Sequence, residues 1–151
     1  MTDLLRKLQY KEGQRIYVRG VPPEFREQLD GMKSLAAVST SPTCKKPAGL
    51  AIYFVKSQAD IARFAAQATS KVEDDGVLWF AYPKKSSKRY DSDIARDAGW
   101  QPLGDAGFEG VRQIAIDDDW SALRLRRVEN IRTMKRDSGR AMSARGKSRT
   151  R

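Results

Sequence analysis

Leu50-Ala51-Ile52-Tyr53-Phe54-Val55 is apolar at every position, and Val77-Leu78-Trp79-Phe80-Ala81-Tyr82 repeats the pattern further along the chain. An unbroken apolar run of this length fits a central strand covered on both faces, because a strand with one wet face would alternate. Between the two runs, Ser57 followed by Asp60 is a capping-box variant that opens a helix. Ile61, Phe64, Ala65, Ala68 and Val72 then fall on one helical stripe, and Gly76 closes the unit. Strand, helix and strand in this form make a parallel βαβ unit, which sets the fold class.

Toward the amino terminus, Leu4, Leu5 and Leu8 have helical spacing over Thr2 to Tyr10, and Glu12-Gly13 ends that segment. Ile16-Tyr17-Val18 reads as a strand bounded by Gly13 and Gly20-Val21-Pro22-Pro23. Pro23 suits the first turn of a helix running through Phe25 and Leu29 to Gly31, and Leu35-Ala36-Ala37-Val38 reads as the second strand. Toward the carboxyl terminus, a helical stretch is expected from Asp91 or Ser92, broken by Gly99 and Pro102. Val111 to Ile116 and Ser121 to Val128 read as two strands joined by Asp117-Asp118-Asp119. With right-handed crossovers, this predicts a mostly parallel α/β sheet of order 2-1-3-4-6-5 whose last strand, strand 6, is antiparallel. Residues 1–131 are expected to form one Rossmann-like domain, and 132–151 a basic, flexible tail.

Charge is divided along the same boundary. From Arg132 to Arg151 there are eight Lys or Arg against one Asp, +7 of the formal +10. The body before it is nearly balanced, and the chain's 40% hydrophobic content with three Trp and five Phe supports a packed core. No apolar run approaches the ~18 residues of a membrane span. The first seven residues lack the order of a secretion signal, and Cys44 is the only cysteine, so no internal disulfide or thiolate metal cage can form. A cytoplasmic protein without a bound metal is expected. Histidine is absent, which removes the usual neutral-pH acid–base group and every histidine-dependent nucleophile. The chain therefore reads as non-enzymatic.

The element order resembles a shortened class I methyltransferase fold. Gln9 to Val18 looks like the entry to its cofactor strand, and the hairpin from Val111 to Val128 fits as well. The resemblance implies a glycine-rich loop after strand 1 and a carboxylate ending strand 2. Here the loop reads Gly20-Val21-Pro22-Pro23-Glu24 and strand 2 ends in Ser39-Thr40-Ser41, so no S-adenosylmethionine or dinucleotide cofactor is expected. Leu78-Trp79-Phe80-Ala81-Tyr82-Pro83-Lys84-Lys85 together with Ile116-Asp117-Asp118-Asp119-Trp120-Ser121-Ala122-Leu123-Arg124 resembles a family of small bacterial proteins of unknown function. That likeness covers roughly residues 5 to 129 and implies a stand-alone Rossmann-like domain without an assigned reaction.

Two regions carry candidate chemistry. Lys84, Lys85, Ser86 and Ser87 follow a central strand, where ligands gather in open α/β sheets, and their amines, hydroxyls and backbone N–H groups suit a phosphate. The bland alternative is a solvated loop. Asp117 is placed at the same sheet edge as Lys84, either as a turn cap or structural ion partner, or as half of an acid–base pair. The second region starts in the last strand with Arg124, Arg126 and Arg127 and continues through Arg132, Lys135, Arg136, Arg140, Arg145, Lys147, Arg149 and Arg151. Such a run grips phosphates by counterion release, which makes RNA or DNA the expected partner and a membrane a poor one. The leading expectation is polyanion binding through this end. Its competitors are an enzyme or sensor for a small phosphorylated ligand at the strand-4 loop, and an accessory subunit that docks a protein.

Overall fold

The computed structural model describes residues 2–131 apart from 96–97. Six strands form one sheet in the order β2-β1-β3-β4-β6-β5, the order expected from the sequence. They are β1 (Ile16–Arg19), β2 (Val38–Ser39), β3 (Ala48–Phe54), β4 (Val72–Pro83), β5 (Phe108–Ala115) and β6 (Trp120–Arg127). β2, β1, β3 and β4 run parallel, whereas β6 pairs antiparallel with both β4 and β5. β5 therefore points the same way as β4, and the turn after it returns to the carboxyl edge of β4.

The apolar runs behave as strands covered on both faces should. All seven residues of β3 are buried. Tyr53, Val55, Leu78 and Phe80 pack beneath α3 (Gln58–Lys71) and α4 (Gln101–Asp105). Leu50, Ile52, Phe54, Trp79 and Ala81 pack beneath α1 (Asp3–Lys7) and α2 (Arg26–Lys33). Burying each such side chain contributes about 2 kcal/mol, so this three-layer core carries the fold. α3 follows its predicted stripe through Ile61, Phe64, Ala65 and Ala68. Its cap is reciprocal: the Ser57 hydroxyl accepts from Asp60 N–H at 3.2 Å, and the Asp60 carboxylate accepts from Lys56 N–H at 3.0 Å.

Several elements differ from their sequence reading. None of the described residues between 91 and 100 is helical. The N–H of Gln58 donates to the Asp93 carboxylate at 2.8 Å and its side-chain amide to the Asp93 carbonyl at 2.7 Å. The Trp100 indole N–H donates to the Ala95 carbonyl. These ties peg the segment to the start of α3, and only α4 remains helical. The second strand is two residues long, because the N–H groups of Leu35 and Ala36 both close onto Met32 at the end of α2. β4 begins at Val72 and runs through Gly76 with a shift in register, so Gly76 lies inside a strand. The first helix ends at Lys7 with Leu8 as its cap, before Gln9 at φ 63° and ahead of the Glu12-Gly13 stop.

Candidate functional site

The carboxyl edge of the sheet gathers three connections: Gly20 to Phe25 after β1, Val55 to Ser57 after β3, and Lys84 to Tyr90 after β4. The turn between β5 and β6 joins them, through a 2.8 Å hydrogen bond from Lys84 N–H to the Asp119 carbonyl. Two regions of different character result.

The first is a pocket of about 630 Å³ on the α3/α4 face, lined by Tyr82, Lys84, Lys85, Ser86, Ala95, Ala98, Gln113 and Ser121. Tyr82 and Ser121 are buried, and the Tyr82 ring sits edge-on to Trp100 at 5.3 Å. Lys85 and Ser86 are exposed, with Lys84 half-buried. No side-chain hydrogen bond or ion pair engages Lys84, Lys85 or Ser86 within the described residues. Cations and a hydroxyl left free around a concave, partly apolar wall are the elements of an anion-binding site.

Of the five predicted anion-site residues, this pocket collects Lys84, Lys85 and Ser86. The other two serve the turns. The Ser87 hydroxyl donates to the Asp119 carboxylate at 2.8 Å and accepts from the N–H groups of Arg89 and Tyr90. Asp117 accepts the N–H groups of Asp119 and Trp120, both at 2.8 Å, as a turn cap does. It shares the sheet edge with Lys84 without a side-chain contact to it. Gln113, Ser121 and Tyr82 were not singled out from the sequence. Only the antiparallel register that sets Ser121 opposite both Tyr82 and Ala115 brings them in.

The second region is the crevice above β1 and β3, and it is filled from within. Gly20 adopts φ 71°, and a Cβ there would lie 2.4 Å from the Phe54 carbonyl oxygen, so the loop is packed directly on the end of β3. Phe25, Phe54 and Trp120 form a buried aromatic block, with ring centroids 4.7 and 5.2 Å apart. Glu24 closes it, accepting the Tyr90 hydroxyl at 2.5 Å and the Trp120 indole N–H at 3.0 Å. Burial alone would raise the Glu24 carboxyl, but these two donors leave it below its ordinary value. Lys56 lies over the Tyr90 ring at 4.8 Å, and Arg89 pairs with Asp119 at 3.5 Å.

Two of the three strand arginines, Arg126 and Arg127, are held by the rest of the fold. Arg126 forks onto the Asp75 carboxylate with two 3.1 Å hydrogen bonds. Arg127 donates to the carbonyls of Asp74, Thr69 and Val72 and stacks on Phe108. Arg124 donates to the side chain of Gln9. Arg132, Lys135, Arg136, Arg140, Arg145, Lys147, Arg149 and Arg151 lie outside the described residues. Among the described residues no three acidic or sulfur side chains converge as a cation site, and no helix is long and apolar enough to cross a membrane.

No family model and no curated protein matches the chain. Solved structures do. Ribosomal protein L11 methylase from Lactobacillus delbrueckii subsp. bulgaricus aligns with a TM-score of 0.52 at 11% identity, over 82% of this chain and 74% of that one. TrmN from Thermus thermophilus gives 0.53 at 10% identity over 82% of this chain, which spans 47% of TrmN. A putative type 11 methyltransferase from Sulfolobus solfataricus gives 0.51 at 10% identity, covering 83% and 89% of the two chains. The fold points to S-adenosylmethionine at the β1 crevice, and the residues present there do not fit it. Pro22 and Pro23 offer no N–H, the aromatic block takes the space, and β2 ends in Ser39 without a carboxylate. What the chain shares with these proteins is the Rossmann-like methyltransferase sheet, built here around a crevice that its own side chains occupy.

Proposed function

We propose that this protein binds a small phosphate-bearing molecule in the pocket at the carboxyl end of β4. The supporting observation is that Lys84, Lys85 and Ser86 line one concavity, beside Gln113 and Ser121, with no side-chain partner among the described residues. A volume of about 630 Å³ suits a ligand of mononucleotide size, with Tyr82, Ala95 and Ala98 as its apolar wall. The fold shared with methyltransferases supports an enzymatic reading at the level of architecture only. The pocket holds no carboxylate or histidine beside its lysines among the described residues, so the binding role is the better supported one.

Trp100 reports on the pocket through its contact with Tyr82. Titration with pyrophosphate and with a mononucleotide is expected to give a saturable fluorescence change that Lys84→Ala removes while leaving the unliganded melting temperature unchanged. Silence at millimolar concentrations of both probes sinks the reading.

The polyanion reading rests on the charge of residues 132–151. One part of the described surface bears on it independently.

A further inference from the structure

On the α1/α2 face of the hairpin β5–β6, two arginines stand directly opposite each other. Arg112 and Arg124 are ladder partners, and Arg126 follows Arg124 on the same face. Like charges facing across a ladder destabilise a sheet unless something neutralises them. Arg126 has its counterion in Asp75. Among the described residues Arg124 and Arg112 make no ion pair, although the Asp75 charge also reaches Arg124. The Arg124 Nε is buried without a partner, and its Nη1 meets only the neutral Gln9 side chain. Burial first, then repulsion from Arg126 and more weakly from Arg112, pushes the Arg124 guanidinium below its ordinary value against the attraction of Asp75. Gln9, which holds it, is the only non-glycine residue at positive φ among those described.

Cations from the first helix approach the same strands. Lys7 donates to the Ala115 carbonyl at 3.4 Å, and Lys11 contributes to lowering the Asp75 carboxyl behind the leading hydrogen bond from Arg126. Arg112, Lys7 and Lys11 are all exposed. The nearby acids are Asp75, already engaged, and Glu109, which is wholly buried opposite Arg126.

We infer that the open face of β5–β6, centred on Arg112 and Arg124 and flanked by Lys7 and Lys11, binds the phosphate backbone of a single-stranded nucleic acid. The surface is a strand face, which suits an extended ligand. The donors are guanidiniums and ammoniums, which suits phosphates over bases. This site is separate from the β4 pocket and on the other side of the sheet.

The test uses the full-length chain and a labelled oligouridine, followed by fluorescence anisotropy over a salt series. Arg112→Glu is expected to weaken binding about tenfold and to reduce the salt slope by about one. Arg63→Glu makes the same change in net charge on α3, across the sheet, and is expected to stay within about twofold of the parent. Arg112 and Arg63 are both exposed, so neither variant threatens the core. Equal losses in the two variants, or no loss in Arg112→Glu, overturn the inference. So does a parent protein that binds phosphatidylserine vesicles and leaves the oligonucleotide free.

Discussion

The carboxylate of Glu24 accepts the hydroxyl of Tyr90 at 2.5 Å across a sequence separation of 66 residues, and so ties the loop after β1 to the loop after β4. Trp120 supplies a second donor from the start of β6. One side chain thus links three connections at the carboxyl edge of the sheet.

That linkage has a pH signature. The folded Glu24 carboxyl is depressed, so its contribution is present above the unfolded value and is lost as pH falls through the folded one. Glu24→Gln is expected to cost about 1–2 kcal/mol at neutral pH, with parent and variant converging in acid. Tyr90 moves the other way: burial, then the bond and charge of Glu24, pushes it up to about 12. Its contribution is complete below the ordinary phenol value and fades as pH rises through about 12. Denaturant midpoints across pH check the first, and ultraviolet titration against Tyr90→Phe the second. A pH-independent gap in the acid range would contradict the Glu24 assignment.

Gly20 and Gly13 separate backbone conformation from packing. Both have positive φ, but a Cβ at Gly13 meets nothing within 4 Å, whereas at Gly20 it meets the Phe54 carbonyl at 2.4 Å. Gly13→Ala should cost about 1 kcal/mol and Gly20→Ala clearly more, at least about 2 kcal/mol. Urea unfolding ranks them, and equal losses would mean that the contact at Phe54 relaxes freely.

Arg127 satisfies three carbonyls at the junction of α3 and β4 and covers the Phe108 ring. An ammonium cannot reproduce that fork, so Arg127→Lys should lose about 1–2 kcal/mol, close to the loss in Arg127→Ala. Rescue by Lys would show that charge, not geometry, matters there.

S-adenosylmethionine should leave the thermal midpoint where it is. A ligand held at a hundred times its dissociation constant would add about 2.7 kcal/mol, which a melting curve shows readily. A clear rise would mean that the Glu24 closure opens and that the crevice accepts the cofactor.

The sheet was legible because its signals are local. Two apolar runs flank a capped, striped helix, and the residues after such a strand lie at the ligand-bearing edge, so Lys84, Lys85 and Ser86 could be placed from order alone. The missing helix at 91–100 shows where that reasoning ends. Asp91 and Ser92 have helix-start chemistry, but the bonds from Gln58 to Asp93 come from another element. Likewise, the alternation of Arg124 and Arg126 with Leu123 and Leu125 reveals two faces, without revealing that Asp75 pairs with Arg126 and that the Arg124 Nε is buried without a hydrogen-bond partner.

Periodicity, capping and turn residues by themselves determined the sheet order, the antiparallel last strand and the concentration of positive charge at the carboxyl terminus. Each depends on neighbours a few residues apart. Tertiary structure alone decided which crevice is filled, and, among the described residues, which lysines make no side-chain bond and which arginine buries an unbonded Nε. Those outcomes depend on side chains that meet across strands and loops far apart in the chain, where burial sets the cost of every unpaired charge.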